Sequence, residues 1–483
     1  MRGVPPRTAR LPDALTCLVL GAALALTLPP LQTGALSAVA LAALLWHVAH
    51  GRDTRQVAGR MFWAASGLCA VHLWWLSVFL GTLFQTPVLG LLALALFALE
   101  GSFYALMALV AARLAGSSVL ARVWLLAGGW VLLEALRFLG PFAFPWPTLG
   151  YSLLPTPMIQ IADLGGVLLA SALVTATAAA LVTFWRHRAA PLWVMAVLWV
   201  AALAYGVTRT AGEGPARQAI VERSTVDVFS KAAENMSAQN FFDVYMRPLK
   251  QVPLPEGVPV FLPETAVLDE SLLPQVPGPG IYGLYTPRPK GNKAVAWDGQ
   301  QITAQSDKAR PVPFGEFFPL HSTLRPVWRL IENAVGFSLD SLPPAQTLNI
   351  LPLSGVNYGA YICYDSVFPW VARQLTNKGA NVLVNISNDG WYAGWGVQQH
   401  FMMGRVRAIE NRRWVLRSVN QGIAASIDDL GRPRRTLGRG EGAMQVSFRE
   451  LRGVTVYNRV GDFPALLAAG LMLLLGFMYR RTV

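Results

Sequence analysis

Eight apolar runs constrain this chain more than any other feature. They lie near residues 14–28, 34–50, 61–81, 87–112, 122–139, 158–185, 190–208 and 463–479. Each is long enough, or nearly so, for the ~20 helical residues that a ~30 Å hydrocarbon core takes. Basic residues then fall in alternate loops. Arg2, Arg7 and Arg10 precede the first run, and Arg52, Arg55 and Arg60 lie between the second and third. Arg113 and Arg122 lie between the fourth and fifth, Arg186 and Arg188 between the sixth and seventh, and Arg480 and Arg481 follow the eighth. The other short loops, 29–33, 82–86 and 140–157, hold no Lys or Arg. Positive charge stays on the cytoplasmic side, so both termini are expected there, and the region after the seventh run is expected outside. The basic flank and first run are read as a retained span: further apolar segments follow at once, and no small-residue cleavage site stands out.

Composition agrees. Hydrophobic residues make up 53% of the chain and charged residues 14%, against roughly 25% charged in soluble domains. The net charge of +13 is concentrated at the ends of apolar runs. With no zinc spacing, recognition-helix signature or aromatic-basic stripe, nucleic-acid binding is excluded. Cys17, Cys69 and Cys363 are widely spaced and imply no disulfide framework. Within the runs, Glu134 and Arg137 share a helical face and are expected to form a structural ion pair. The competing reading makes them a wall of a lipid headgroup site. His72 and Glu100 are also intramembrane, and the loop Pro141–Pro147 is expected at the outer interface.

Three units follow: a membrane region over 1–211, an extracytoplasmic domain over 212–461, and a last span with a cytoplasmic tail over 462–483. Residues 212–460 hold charged residues and prolines at soluble density. Strand-like runs recur at Val258–Leu262, Ala294–Trp297, Leu348–Leu353, Ala360–Ile362, Asn381–Ile386 and Ile423–Ile427, with helical patterns at Lys231–Leu249 and Gln398–Asn411. Such alternation predicts an α/β or α+β domain.

Three stretches of that domain carry chemistry. Val260-Phe-Leu-Pro-Glu264 is a strand ending in a carboxylate, and Lys308 precedes a proline-stiffened loop containing Gly315 and Glu316. Ala360-Tyr-Ile-Cys363 delivers a thiol to the end of a buried strand. Taken singly, these would be a strand-terminal acid, a solvated lysine and a small buried hydrophobe. Together they suit nucleophilic catalysis. A thiol needs a base, which Glu264 could be; the tetrahedral oxyanion needs a cation or N–H donors, which Lys308 and the Tyr364 backbone could supply. His321 and His400 are the domain's histidines, and neither adjoins a nucleophile motif in sequence.

Glu264, Lys308 and Cys363 on three successive segments resemble the nitrilase (carbon–nitrogen hydrolase) superfamily. Set between a seventh and an eighth span, they resemble the apolipoprotein N-acyltransferase family. Trp130-Val-Leu-Leu-Glu-Ala-Leu-Arg137, Phe144-Pro-Trp146 and Leu149-Gly-Tyr151 match its membrane part. Pro263-Glu264, Val312-Pro-Phe-Gly-Glu316, Ile362-Cys-Tyr364, Ile386-Ser-Asn-Asp389, Trp391, Gln399-His400, Arg459 and Gly461 match the remainder. The resemblance implies an eight-helix transmembrane bundle carrying an extracytoplasmic α-β-β-α sandwich. It implies a Glu264–Lys308–Cys363 triad, with Glu316 orienting Lys308. Tyr364, Trp391 and Tyr392 would line the pocket, Pro319 and Arg325 would belong to the same loop, and Asn292 and Asp365 would stand beside the triad. It implies acyl transfer from a membrane phospholipid to the N-terminal amine of a diacylated prolipoprotein at the bacterial inner membrane, through a Cys363 thioester. The enzyme would act as a monomer, without metal or organic cofactor. A membrane-tethered amidase using the same triad, with water as acceptor, is the rival enzyme; a transporter or scaffold is the non-enzymatic one. Three features depart from the family pattern: Asp365 replaces the usual Glu, the first strand near Gln218–Val221 lacks a Gln-Gly-Asn pattern, and the segment after Glu264, from Ala266 to Ile281, is short.

Overall fold

The computed structural model describes residues 11–31, 33–227, 236–313, 315–318, 320–335 and 341–481. Arg2, Arg7, Arg10, Pro319 and the start of the Lys231–Leu249 pattern lie outside the described residues.

The apolar runs become helices: α1 (Leu11–Ala25), α2 (Leu36–Ala49), α3 (Thr54–His72), α4 (Trp75–Leu83), α5 (Leu92–Ala115), α6 (Val119–Leu136), α7 (Ala162–Trp185) and α8 (Ala190–Val207). Five helical segments of the described residues, including the last one, Phe463–Arg481, are long and apolar enough to cross a membrane. The pair α3 and α4, bent by 67°, makes a sixth if counted as one. Helices α1 and α2 are apolar but shorter, at 15 and 14 residues. The molecule is therefore a multi-pass membrane protein. Side-chain caps mark helix starts where the sequence offers them: Asp53 accepts the Gln56 N–H before α3, and Ser118 accepts the Ala121 N–H before α6. Helices α1 and α3 cross closely because Gly21 and Gly67 carry no side chain; a Cβ on Gly21 would stand 1.8 Å from the Ala64 carbonyl oxygen.

Two expectations in this region need correction. The run 61–81 is not one helix: it breaks after His72 and resumes at Trp75. The Glu134–Arg137 pair does not form among the described residues. Arg137 Nε pairs with Glu100 Oε2 at 3.1 Å, and its Nη2 donates to the Phe144 carbonyl at 2.7 Å. Glu134 instead accepts the Trp130 indole N–H at 3.0 Å and the Leu149 N–H at 2.9 Å. Tertiary packing offers Arg137 a carboxylate on a neighbouring helix, which helical spacing cannot reveal.

The second unit is a twelve-stranded sheet. Its strands are β1 (Ala216–Ser224), β2 (Val260–Phe261), β3 (Gly280–Pro287), β4 (Lys290–Trp297), β5 (Ile302–Asp307), β6 (Leu351–Leu353), β7 (Val356–Ile362), β8 (Val382–Asn388), β9 (Val415–Asn420), β10 (Ala424–Ile427), β11 (Pro433–Leu437) and β12 (Gly442–Arg449). The main path runs β5-β4-β3-β2-β1-β9-β8-β7-β6, with β12 branching from β1 and β10 from β9. Alternate residues of the strands, among them Val221, Phe261, Ile281, Tyr358, Ile362, Val384 and Leu416, fill a core made of strands alone. Opposite faces pack on helices: α9 (Ala238–Met246) lies over Ile220, Val260 and Tyr282. On the other side α11 (Pro369–Asn377) and α12 (Trp395–Asn411) lie over Tyr361, Leu383 and Val415, in the same cluster as the membrane helices. The helix following α9 in sequence, Arg325–Val335, is α10. The short segment after Glu264 folds as a 3-10 helix, Glu270–Gln275.

Strands β2, β1, β9, β8 and β7 run parallel to one another. Their carboxyl ends therefore open on one edge of the sheet, where an α/β fold gathers side chains from distant segments.

Candidate active site

Glu264 follows β2, Cys363 follows β7 and Asn388 ends β8, so all three stand on that shared edge. Lys308 follows β5, and its N–H donates to the Asn292 carbonyl at 2.9 Å, so the β4–β5 hairpin carries both to the same place. Glu264 and Lys308 are each 3% exposed and Cys363 is 1% exposed.

Lys308 sits between two carboxylates. Its Nζ is 2.8 Å from Glu264 Oε1 and 2.7 Å from Glu316 Oε2. Glu316 is folded back by the Val312 N–H at 2.9 Å, and Asn292 Nδ2 donates to Glu264 Oε1 at 2.7 Å. The other oxygen of Glu264 accepts the Asn388 N–H at 2.9 Å, while Cys363 Sγ lies 3.6 Å from the Asn388 carbonyl oxygen. Glu264 and Cys363 thus engage the two backbone groups of one residue. Burial of an ammonium disfavours its charge, but the carboxylates of Glu264 and Glu316 outweigh this and hold Lys308 well above its ordinary range. Burial pushes the Cys363 thiol well up; the charge of Glu264 adds to this, and Lys308 only partly opposes it. Both effects favour the neutral thiol at Cys363.

Cys363 adopts φ 47°, in the left-handed region, and opens a 3-10 turn, Cys363–Val367. Asp365 in that turn accepts the N–H groups of Ile362 at 2.9 Å, Arg310 at 2.7 Å and Ala309 at 3.3 Å. Burial pushes its pKa up to about 7, against the pull of those donors and of Lys308. The Tyr364 hydroxyl donates to the Ala143 carbonyl at 3.1 Å, joining the nucleophile turn to the Pro141–Pro147 loop. Tyr392 packs edge-on against Trp75 and tilted against Trp146, and Trp391 packs on Phe79 of α4. Arg325 starts α10 with its side chain exposed. Among the described residues, no hydrogen bond or ion pair links Arg325 to Lys308 or Cys363.

Asp13, Cys17 and His47 are the described residues whose ligand atoms could meet on a metal ion. They belong to α1 and α2, and Asp13 is already paired with His47 and Arg60, each at 3.0 Å.

The architecture and site have counterparts among known proteins. Residues 20–180 match the model for the apolipoprotein N-acyltransferase N-terminal domain, and 280–452 match that for the carbon-nitrogen hydrolase domain. The apolipoprotein N-acyltransferase of Azotobacter vinelandii is 31% identical over 507 aligned positions, covering 97% of this chain and 95% of its own. The chain belongs to the apolipoprotein N-acyltransferase family. The Pseudomonas putida N-acyltransferase is 30% identical, with 87% of each chain covered. A solved amidase from Nesterenkonia sp. aligns with 51% of this chain and 95% of its own at 15% identity, with a TM-score of 0.35, too weak a likeness to carry an argument.

For this member of the N-acyltransferase family, sequence reading missed two neighbours of the nucleophile. Asn388 lies in a quoted motif, yet only the parallel pairing of β7 with β8 sets it between Glu264 and Cys363. His400, which adjoins no nucleophile motif in the sequence, does so in space: its Nε2 is 3.1 Å from the Cys363 carbonyl oxygen. It sits on α12, and α12 crosses beneath the strand ends. His321 instead lies 3.7 Å from Glu332, on the α10 side.

Proposed function

We propose that this chain transfers a fatty acyl group from a membrane phospholipid to the α-amino group of diacylglyceryl-cysteine at the N-terminus of an apolipoprotein. The reading is carried by one observation: Glu264, bonded to Lys308, reaches Cys363 through the single residue Asn388. In the first half-reaction Cys363 Sγ attacks the ester carbonyl carbon while Glu264 takes the thiol proton. Lys308 and the Tyr364 N–H stabilise the oxyanion. The ester C–O bond breaks, Glu264 returns the proton to the departing glycerol oxygen, and a lysophospholipid leaves behind an acyl-thioester. In the second half the amine attacks the thioester, Glu264 takes the amine proton, and the proton passes to the departing Cys363 sulfur. Glu316 and Asn292 orient Lys308 and Glu264. Tyr364, Asp365, Trp391, Tyr392, Pro319 and Arg325 belong to the pocket and its loops.

We read α1 and α2 as short spans, giving eight in all, and the layered domain as an α-β-β-α sandwich. The arginine pattern supports cytoplasmic termini and a catalytic unit on the outer face of the bacterial inner membrane. There both lipid-anchored substrates reach Cys363 from the bilayer. The aromatic contacts of Tyr364, Trp391 and Tyr392 with membrane-region residues support entry from that side.

The test is intact mass and labelled acyl transfer. Purified protein given labelled phospholipid should gain a fatty-acyl increment on the Cys363 peptide, then pass the label to a diacylated lipopeptide. Cys363→Ala should fold and gain no increment. Release of free fatty acid with no transfer to the lipopeptide would favour the amidase reading instead.

A further inference from the structure

The peptide unit between Cys363 and Tyr364 is planar, with its C=O and N–H on opposite edges. The N–H is the second in the 3-10 turn Cys363–Val367 and so has no acceptor within the turn. The C=O is met by His400 Nε2 at 3.1 Å. A carbonyl only accepts, so this contact is a hydrogen bond in the forms of the ring that carry a hydrogen on Nε2. The Ser366 hydroxyl lies 2.6 Å from the same nitrogen.

The imidazole has no freedom to turn away. Its Nδ1 is 2.9 Å from Asp389 Oδ1 and 3.0 Å from Arg417 Nη2. A neutral ring accepts there from the guanidinium, and a protonated ring donates to the carboxylate. In both of these states Nε2–H points at the Cys363 carbonyl; a ring protonated at Nδ1 alone would take the Ser366 hydrogen at Nε2 and leave that carbonyl unmet. Arg417 also pairs with Asp389, and Ser387 Oγ donates to Asp389 at 2.7 Å, so the frame around the ring is itself fixed. The ring is fully buried, stacked on Trp146 at 6.2 Å and tilted against Tyr392 at 4.9 Å. A non-glycine residue at φ 47° is uncommon and has to be held there by its surroundings.

We propose that His400 is a positioning residue for acyl transfer: by holding the Cys363 carbonyl, it aims the Tyr364 N–H on the same peptide plane at the oxyanion of the reacting ester. This rests on Cys363 being the acyl-accepting nucleophile. A residue that served only the core would affect every reaction of the thiol alike; a residue that sets the oxyanion donor affects only reactions that build an oxyanion.

Two rates at Cys363 of the full chain separate these cases. One is thioester formation from phospholipid. The other is alkylation by iodoacetamide, which displaces iodide from a saturated carbon and forms no oxyanion. His400→Phe keeps the ring's shape and removes the donor. It should slow thioester formation roughly 10- to 100-fold, the scale of a misplaced oxyanion donor, and leave alkylation unchanged. His400→Gln, whose amide N–H reaches toward the same carbonyl, should restore most of the acylation. Should His400→Phe not fold, His400→Asn, too short to reach the carbonyl, is measured in its place. Wild-type acylation in the donor-free variant, or equal losses in both rates, would overturn the inference. Absence of any thioester on wild-type Cys363 would bring down the reading of the site itself, whatever His400 does.

Discussion

The carboxylate of Asp365 accepts the backbone N–H of Arg310 at 2.7 Å, across 55 residues of sequence. With the Ile362 and Ala309 N–H groups also bound, one short side chain ties the nucleophile strand to the lysine loop. Asp365→Ala leaves these backbone donors without their acceptor in a buried place. Each orphaned donor costs about 1–3 kcal/mol, so a loss of about 3 kcal/mol or more is expected for the three, with slower thioester formation because Lys308 is no longer held in register with Cys363. Thermal unfolding in detergent and acyl-enzyme mass check both. Asp307→Ala, exposed and next to Lys308, should change neither. Normal stability and acylation in Asp365→Ala would show that the tie is dispensable.

Lys308 neutralises two carboxylates at once, at 2.8 Å and 2.7 Å. Lys308→Met leaves the buried Glu264 and the half-buried Glu316 without a cation, and breaking a buried pair from one side costs about 3–5 kcal/mol. Adding Glu316→Gln removes one of the uncompensated charges. The double variant should therefore recover part of the lost stability while acylation stays absent, because no ammonium faces the oxyanion. A double-mutant cycle read by thermal unfolding measures the coupling. Strictly additive losses would show that Glu316 and Lys308 do not act as a unit.

That Glu264, Lys308 and Cys363 belong to one cluster was legible because each ends or precedes a recognisable segment: Glu264 after an apolar run, Cys363 after another, Lys308 before a proline-rich loop. A multi-pass membrane region was legible too, since apolar runs are local signals. The Glu134–Arg137 expectation failed because helical spacing places residues on a face but does not say which helix packs there; Glu100 was the nearer partner. His400 was read only as part of a motif, because nothing across the 37 positions that separate it from Cys363 signals that α12 brings the two together. Strands β3, β5, β9, β11 and β12 went unread too. The buried strand β9, Val-Leu-Arg-Ser-Val-Asn, carries an arginine, and that arginine meets Asn385, Asp389 and His400, which lie far from it in sequence.

Burial and the Glu264 carboxylate hold the Cys363 thiol above its ordinary pKa, so the neutral form dominates near pH 7. A raised thiol pKa means that the thiolate fraction still grows as pH climbs past the usual cysteine range of about 8–9. Iodoacetamide labelling of the Cys363 peptide should therefore be slow at pH 7 and still rising above pH 9. In Glu264→Gln the rise should shift to lower pH, since the negative neighbour is gone while Lys308 remains. A plateau below pH 8 in the wild type would mean a preformed thiolate and a different proton path.

Gln399 explains why the third apolar run breaks. Past His72 the chain turns by 67°, and the His72 carbonyl is freed from its helix. Gln399 Nε2 donates to that carbonyl at 2.9 Å and to the Pro29 carbonyl at 3.2 Å. Its Oε1 accepts the indole N–H groups of Trp75 and Trp146. One amide on the catalytic helix α12 thus saturates donors and acceptors from three membrane-region segments. Gln399→Leu leaves two indoles and two carbonyls buried without this partner, an expected loss of about 4 kcal/mol or more at about 1 kcal/mol or more for each unmet group. Gln399→Glu should fare no better, because its second oxygen would face two carbonyl oxygens. Trp75→Phe removes a donor and leaves Oε1 with Trp146, so its cost should be smaller and its effect in the Gln399→Leu background close to nil. Because His400 is the next residue, Gln399→Leu should also slow thioester formation. Thermal midpoints of the three variants, with acylation rates measured well below them, test the clasp; a Gln399→Leu protein as stable as wild type would remove it.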